Sequence, residues 1–584
     1  MAKKKPLINA HVHIFTGEHV PPLIAKKFIP WPLYRMAHVH FFLWIWKTIR
    51  TFNKQFYDPK NWYNRLLNFR NRVMSVIDRN KVLLFLWRVV QYILFANTLL
   101  VLCYWLRSRS ETAGKVYDYV SKFVASNGNF YVILDPAERQ WLAIALFLVV
   151  FFFFKSGRNL VLFALKQLVS LFKALPGSQT RALLERYLLL GKYTLYKEQN
   201  GIYNKLEKQY EPNTKFVVLP MDMEYMDAGK PPTPYLDQMK ELEEVKKNNP
   251  NTCIPFVFVD PRRLSAKDGK TYFDYTFTDG RVSLVKGCFI QKYIEDKGFG
   301  GFKIYPALGY YPFDEWLLPV WKYAADNGLP ITTHCIEGTI FYRGTKEKQW
   351  DKHPVFRESK GDGVYDEMAL PQRKNEEFSL NFTHPMNYLC LIKEPLLRIL
   401  VGQAKDNRIK ELFGYTDEET PLKHNLSHLK ICLAHFGGED QWEEYLEKDS
   451  YVYPQQVVQY RDRGLDFSID PGSIPWGRFE QHWKYVDWYS IIYSLMAQGE
   501  NVYADISYIV SKPSIFPLLK ETVDDSLHPK VASRVLFGTD FYVVRNHNSD
   551  KELYLNSATD LSEEEMDRIA RENTHQFVTN SLGQ

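Results

Sequence analysis

The sequence predicts an α/β protein in which eight parallel strands close into a (β/α)8 barrel. Three observations support this fold class. Short apolar runs of strand length recur along the 584 residues, and most lack the alternation that is typical of half-exposed strands. Amphipathic segments of helix length lie between several of these runs. Histidine or aspartate stands at the end of four of them.

Eight apolar runs are the predicted barrel strands. Most are continuous, as expected of strands that are covered on both faces. In chain order they are Leu7–Ile14, Lys215–Glu224, Cys253–Asp260, Gly300–Pro306, Pro330–Cys335, Leu429–Phe436, Val502–Ile506 and Val535–Phe541. Helices are predicted at Pro234–Lys247, Phe313–Asn327, Pro385–Phe413 and Glu563–Asn573.

Two intervals are too long to be simple connections between strands. Residues 15–214 separate the first two strands, and residues 336–428 separate the fifth from the sixth. Long insertions in a compact fold are usually functional, and we expect the second to be a lid. The chain is therefore divided into the first strand at 1–14, the insertion at 15–214 and the rest of the barrel at 215–584.

The first insertion is basic, aromatic and apolar. Residues 1–215 hold 32 Lys and Arg against 11 Asp and Glu, so the rest of the chain is acidic although the total charge is +7. Two hydrophobic segments, about 82–106 and 141–165, approach the length of a membrane span, and Met36–Trp46 reads as an aromatic belt. We predict that 15–214 binds membrane lipids. No nucleic acid is expected, because no nucleic-acid-binding signature accompanies the charge.

The position of this insertion constrains its topology. One strand precedes it and seven follow it, so both of its ends must lie on the same side of a membrane, and two crossings satisfy this. The excess of Lys and Arg on the flanks predicts a membrane protein with the barrel on the cytoplasmic side. Helices lying in the interface, or a soluble helical subdomain that packs between protomers of a homo-oligomer, are the alternatives.

Four predicted strands end in residues that suit a divalent metal. The first ends in His11 and His13, which share one face of a strand because they are two residues apart. The fifth ends at His334, the sixth at His435 and the eighth at Asp540. In a closed parallel barrel these ends share one mouth. Imidazoles with a carboxylate suit zinc, and also iron or manganese.

The combined pattern resembles the amidohydrolase superfamily. Within it, the chain is most similar to the amidohydrolase-related branch of metal-dependent hydrolases and aminocarboxymuconate-semialdehyde-type decarboxylases. The resemblance covers residues 6–14 and about 215–584, and it implies a TIM barrel. The motifs that carry it are Asn9-Ala10-His11-Val12-His13, Pro220-Met221-Asp222-Met223-Glu224, Gly301-Phe302-Lys303-Ile304-Tyr305-Pro306, Thr333-His334, Ala434-His435-Phe436-Gly437-Gly438 and Phe537-Gly538-Thr539-Asp540.

The resemblance implies a role for each of the strand-end residues. His11, His13 and His334 would be metal ligands. Asp540 would bind the metal or take a proton from the bound water. His435 would ligate a second metal, or act as a base or an electrostatic clamp. One ion is favoured over two, and zinc over iron or manganese.

Further residues near the mouth are candidate contacts for a small-molecule substrate. Lys303 is either a carboxylated lysine that bridges two metals, as in binuclear members of the superfamily, or an ammonium that binds substrate or pairs with a carboxylate, or a structural residue. Arg262 and Arg263 could hold a substrate carboxylate or phosphate, or pair with neighbours such as Asp260. Tyr305 is expected to face the pocket.

The residues therefore predict a membrane-associated hydrolase that uses metal-activated water to cleave a C–N, C–O or related bond in a small molecule. Nonoxidative decarboxylation is the alternative reaction, since His435 or Asp540 could handle its proton at the same site. The alternative from another class is a membrane-tethered sensor or scaffold without catalysis. The complete set of ligands favours an enzyme.

Overall fold

The computed structural model describes residues 4–21, 80–107, 111–126, 198–338, 340–371, 375–447, 453–541 and 550–580, with the single positions 77, 141, 145 and 196. The chain divides into two compact units. The first comprises Met1–Tyr34 and Leu183–Gln584, and the second comprises Arg35–Ala182. The second unit thus lies within the predicted insertion at 15–214.

Eight parallel strands form the centre of the first unit, one for each apolar run of the sequence. They are β1 Ile8–Val12, β2 Lys215–Val218, β3 Cys253–Pro255 continued by Val257–Phe258, β4 Phe302–Ile304, β5 Ile331–His334, β6 Ile431–Ala434, β7 Val502–Asp505 and β8 Val535–Leu536. Each strand pairs in parallel with the next one in the chain. Almost every strand residue is buried, which explains why the runs are apolar without alternation.

The barrel closes where the residues after β8 pair with β1. The backbone N–H of Ala10 donates to the carbonyl of Phe537 at 2.8 Å, and that of His13 donates to the carbonyl of Phe541 at 2.6 Å. Val12 and Phe541 form a parallel bridge. The carboxyl ends of all eight strands therefore share one mouth, as the sequence predicts.

Helices connect the strands, and two of them lie close to their predicted positions, at Tyr235–Asn248 and Leu318–Asn327. The predicted helix at 563–573 is found as three consecutive helical segments that continue to Val578. The longer helices of this unit are Gln199–Glu207, Tyr235–Asn248, Leu318–Asn327, Asn375–Thr383, Glu394–Gln403, Asn407–Phe413, Glu439–Glu447, Tyr453–Gln459, Trp476–Tyr485, Trp488–Gln498, Phe516–Thr522, Asp550–Asp560, Glu563–Asp567 and Asn573–Val578.

The prediction of one long helix over 385–413 is wrong, because the stretch is broken twice. Lys393 is extended, with φ −99° and ψ 114°. Pro395 then sits in the first turn of a new helix, where its missing N–H costs nothing, whereas inside a continuous helix it would lose a hydrogen bond. Asp406 starts another helix by accepting a hydrogen bond from the backbone N–H of Arg408 at 2.9 Å.

The interval 336–428 contains an antiparallel hairpin that was not predicted. Its strands are Lys352–Gly361 and Val364–Ala369. The two residues between them, Asp362 and Gly363, have φ of 50° and 75°. Two positive φ values are what a tight type I′ turn requires, and Asp-Gly is a preferred sequence for it. The signal for this hairpin was therefore present in the sequence.

The described part of the second unit is a pair of helices, Lys81–Leu106 and Glu111–Ser126. Asn80 begins the first by accepting hydrogen bonds from the next turn. None of the helices in the described residues is sufficiently long and apolar to cross a membrane. The predicted segment at 141–165, apart from positions 141 and 145, and the predicted aromatic belt at 36–46 lie outside the described residues.

Trp321 anchors a helix on the barrel, and its removal should lower stability. Its side chain is completely buried against Phe302 of β4, and its indole N–H donates to the carbonyl of Pro312 at 2.8 Å. We expect Trp321→Ala to cost about 3–5 kcal/mol, because it leaves a large cavity. Trp316→Ala is the control, since Trp316 is 45% exposed. Equal urea unfolding midpoints for the two variants would contradict this packing.

Candidate metal centre

Three side chains from the two ends of the chain meet at the mouth of the barrel. His11 and His13 come from the end of β1, and Asp540 follows β8. The Nε2 atoms of the two histidines are 3.2 Å apart. Oδ1 of Asp540 lies 3.6 Å from Nε2 of His11 and 3.3 Å from that of His13. All three residues are buried, and they are three of the four metal ligands predicted from the sequence.

Both imidazoles are held in one tautomer by an acceptor behind the ring. Nδ1 of His11 is 2.9 Å from Oδ2 of Asp505, and Nδ1 of His13 is 2.7 Å from the carbonyl oxygen of Leu219. A carboxylate and a carbonyl only accept, so each Nδ1 carries a hydrogen. Burial lowers the pKa of His11 to about 3, which keeps its ring neutral. The Nε2 lone pair of His11 therefore points at its two partners.

A divalent cation fits between these atoms. Ligand atoms about 2.1 Å from a metal lie about 2.9–3.4 Å apart at adjacent corners of an octahedron or a tetrahedron. The separations of 3.2 and 3.3 Å fall in this range, and 3.6 Å is slightly above it. Buried lone pairs and a carboxylate that face one another are costly unless a cation joins them. Nitrogen and oxygen donors together suit zinc, iron or manganese.

Asp505 and Ser507, at the end of β7, belong to the centre although neither was predicted. Asp505 is completely buried and accepts a hydrogen bond from the ring of His11. Burial alone would raise the pKa of Asp505, but His11, His435 and the hydroxyl of Ser507 hold it below its ordinary value. The signal was available, since Asp505 ends a predicted strand just as His334 does.

His435 and His334 form a second pair beside the first. Nδ1 of His334 is 3.1 Å from Nε2 of His435, and the ring of His435 lies 4.8 Å from that of His11. Burial lowers the pKa of both rings. Nε2 of His334 is buried and has no hydrogen-bond partner in the described part of the chain. His334 is thus adjacent to the three-residue group, and its role as a ligand stays a prediction.

Tyr305 and Lys303 lie on the β4 side of the centre. The ring of Tyr305 stacks on His334, with centroids 3.9 Å apart and planes 13° apart, so it faces the site as predicted. Lys303 is completely buried, and its Nζ has no hydrogen-bond partner among the described residues. Burial lowers its pKa to about 8, although Asp505 and Asp540 raise it. The alternative in which Lys303 forms an ion pair is not found within those residues.

Arg262 and Arg263 are engaged by carboxylates of the neighbouring loops. Nε and Nη2 of Arg262 donate to the two oxygens of Asp260 at 2.8 and 2.6 Å, and Nη1 donates to two backbone carbonyls. Arg263 contacts Asp222 at 2.7 Å and Glu224 at 3.2 Å. The structure thus shows the alternative of pairing with nearby carboxylates. A role of either arginine in substrate binding stays a prediction.

Backbone strain is concentrated around the centre. His435, Phe436, Tyr508 and Asp540 have positive φ values of 66°, 44°, 71° and 54°. Such conformations cost on the order of 1–3 kcal/mol each in residues other than glycine, and they persist only where the surroundings enforce them. Their position next to the candidate ligands is typical of a functional site.

Gly538 allows β8 to approach the centre closely. A Cβ at this position would lie 2.9 Å from Cβ of His11 and 3.2 Å from Cβ of Ser507. We expect Gly538→Ala to displace His11 and to lower the metal content of the purified protein several-fold. Gly477→Ala is the control, because its Cβ would meet only the hydroxyl of Tyr365, at 3.8 Å. An unchanged metal content in a folded Gly538→Ala variant would show that the approach is not critical.

Comparison with known proteins gives similarity to solved structures alone. No family model matches the chain, and no curated protein does. A 5-carboxyvanillate decarboxylase from Novosphingobium aromaticivorans, with bound manganese and 3-methoxy-4-hydroxy-5-nitrobenzoic acid, is 13% identical with a TM-score of 0.34, over 70% of this chain and 86% of that one. An amidohydrolase from Mycobacterium avium subsp. paratuberculosis is 11% identical with a TM-score of 0.28, over 67% and 76%.

A third similar structure is an uncharacterised TIM-barrel protein from Bordetella bronchiseptica. It is 11% identical with a TM-score of 0.32, over 68% of this chain and 88% of that one.

Proposed function

We propose that the chain is a metal-dependent enzyme that acts on a small molecule at the mouth of the barrel, with hydrolysis as the leading reaction. One observation carries the proposal. The Nε2 atoms of His11 and His13 and the carboxylate of Asp540 converge within 3.6 Å of one another, and the far side of each ring is fixed by an acceptor. Metal-ligating histidines typically donate a hydrogen bond from the ring nitrogen that does not bind the metal, as Nδ1 does here.

The residues have distinct tasks in this reaction. His11, His13 and Asp540 would hold the ion, with His334 as the candidate further ligand. A bound divalent ion supplies Lewis acidity and lowers the pKa of water from 15.7 to about 7. Asp540 would take up a proton on its carboxylate and pass it to the leaving group. His435 packs beside His11, with ring centroids 4.8 Å apart, and is the second candidate for handling a proton.

Nonoxidative decarboxylation is the second candidate reaction. The burial of every member of the centre favours it, because this reaction needs no incoming water. Asp540 or His435 would then handle the proton that replaces carbon dioxide on the substrate carbon. Release of carbon dioxide from a panel of small carboxylic acids, compared with turnover of amide and ester panels, distinguishes the two reactions.

Metal content tests the proposal directly. We expect about one zinc, iron or manganese ion per purified chain, and loss of that ion in His11→Ala/His13→Ala, because two of the ligands are removed. The exposed His428 gives the control variant, His428→Ala, which should keep the ion. Two ions per chain would favour the carboxylated form of Lys303. Absence of metal from a folded, metal-loaded wild type would leave a barrel used for binding, as a sensor or scaffold would use it.

We also propose that the insertion attaches the protein to an anionic membrane surface, with the barrel on the cytoplasmic side. The excess of basic residues in 1–215 supports this. Large apolar side chains are exposed on the two described helices of the second unit, among them Val82 at 67%, Phe85 at 66% and Tyr119 at 75%. Contiguous exposed apolar side chains mark surfaces that bind a partner or a membrane.

Vesicle co-sedimentation tests the attachment. We expect the wild type to bind vesicles of phosphatidylcholine and phosphatidylserine, and to bind pure phosphatidylcholine less. Val82→Asp/Phe85→Asp should weaken binding about tenfold or more, since burying one large apolar side chain is worth about 1.5–3 kcal/mol. Trp316→Asp in the first unit is the control. Equal sedimentation of all three proteins would contradict attachment through these helices.

A further inference from the structure

Asp505 accepts hydrogen bonds on both carboxylate oxygens, and the two oxygens have different donors. Oδ1 accepts from the backbone N–H groups of His435 and Ser507, both at 3.1 Å, and from the hydroxyl of Ser507. Oδ2 accepts from Nδ1 of His11 at 2.9 Å, with the thiol of Cys432 at 3.6 Å. Every contact of this carboxylate is thus with a donor.

The direction of the next hydrogen bonds follows from this carboxylate. The hydroxyl hydrogen of Ser507 is given to Asp505, so Oγ of Ser507 can only accept, and the ring nitrogens within reach are Nδ1 of His435 at 2.9 Å and Nδ1 of His11 at 3.2 Å. The carbonyl of Ser507, 3.3 Å from Nδ1 of His435, also only accepts. Nε2 of His435 is then a lone pair that accepts from Nδ1 of His334 at 3.1 Å.

The chain of donors ends at Nε2 of His334. Because Nδ1 of this neutral ring carries the hydrogen, Nε2 holds a lone pair, and it is buried with no partner in the described residues. A Cβ at position 338 would lie 3.0 Å from this nitrogen. Because residue 338 is glycine, no side chain from that position covers the nitrogen.

We propose that Asp505 sets the tautomers of His11, His435 and His334 together, so that His11 presents an Nε2 lone pair to His13 and Asp540 and His334 keeps an Nε2 lone pair available beside them. Asp505 and Ser507 are then positioning residues, one acting on His11 directly and both acting on His435 and His334 through the serine hydroxyl. His13 stands outside this network, since its tautomer is fixed by the carbonyl of Leu219. The use of these lone pairs for a metal rests on the proposed function.

Replacing Asp505 by asparagine should reverse one of these tautomers. The two backbone N–H groups of His435 and Ser507 do not move, so the amide oxygen must take the place of Oδ1. The amide NH2 then takes the place of Oδ2 and points a hydrogen at Nδ1 of His11. His11 can accept that bond only by moving its own hydrogen to Nε2, where it faces the metal position. A wrong tautomer is damaging even when the geometry is preserved.

Metal affinity and stability should therefore rank two variants in opposite orders. Asp505→Asn is nearly isosteric, so we expect it to lower the melting temperature of the chelator-treated protein less than Asp505→Ala does. Its affinity for Mn(II) or Co(II), measured by chelator competition, should fall at least as far as that of Asp505→Ala, by about 10–100-fold. A purely structural aspartate would make asparagine the milder change in both measurements. An Asp505→Asn affinity within threefold of wild type overturns the proposal.

Matched variants test whether the members of the network act together. Ser507→Ala removes the hydroxyl that faces Nδ1 of both His435 and His11 and leaves His435 only the backbone carbonyl of residue 507, so that Ser507→Ala and Asp505→Ala act non-additively on metal affinity. Ser557→Ala is the control, because Ser557 is equally buried and its hydroxyl donates only to the carbonyl of Leu553. Asp487→Asn is the second control, since this buried aspartate caps the helix Trp488–Gln498. Additive effects of Ser507→Ala and Asp505→Ala would contradict a shared network.

The tautomers themselves can be observed without any metal. In chelator-treated protein labelled with 15N-histidine, two-bond 15N–1H spectra should show the Nδ1–H form for His11, His435 and His334. Asp505→Asn should change His11 to the Nε2–H form and leave His13 unchanged. An unchanged His11 overturns the inference even if the wild type binds metal. A wild type that binds no metal overturns the proposed function, while these spectra still decide the inference.

Discussion

The pairing of β1 with the residues that follow β8 is the contact on which the candidate centre depends. The backbone N–H of Asp540 donates to the carbonyl of His11 at 2.9 Å, and the N–H of His13 donates to the carbonyl of Phe541 at 2.6 Å. These bonds join the two ends of the chain in register, so the imidazoles and the carboxylate are set opposite one another by the backbone. The centre is therefore formed only when the barrel is closed, and such long-range pairings are slow to form during folding.

The charges inside the closed barrel explain why a cation belongs there. Burial keeps His11, His334 and His435 neutral by lowering their pKa values. Asp505 and Asp540 keep pKa values below the ordinary one, so both carboxylates stay negative at neutral pH, while burial lowers the pKa of Lys303 to about 8. A divalent ion beside these carboxylates offsets their negative charge. Because an ion binds only the folded arrangement, it stabilises the fold.

The sequence predicts the barrel and the ligands for the same reason. A strand covered on both faces must be an apolar run, and the carboxyl ends of parallel strands share a mouth, so His11, His13 and Asp540 could be placed from position alone. The choice between partners could not be predicted in this way. Arg262 stands two residues after Asp260, and this sequence pattern is the same whether the guanidinium binds a substrate or pairs with that aspartate. The prediction of one helix over 385–413 was wrong because Pro395 and Asp406 start new helices. The apolar pattern was followed there in preference to these local start signals.

Asp505 and Ser507 are residues of the candidate centre that the position of histidines and aspartates along the strands did not predict. The sequence pattern predicts Asp540 after β8 as a site residue and does not predict Asp505 at the end of β7, although both lie at the carboxyl ends of barrel strands. The reason is that the family resemblance implies which residues are metal ligands, and it does not imply which residues orient those ligands. In physical terms the two kinds are inseparable, because an imidazole is a ligand only when its hydrogen is on the other nitrogen, and a buried acceptor decides that. A carboxylate at a strand end beside histidines is therefore evidence for a metal centre, even where that carboxylate does not bind the metal itself.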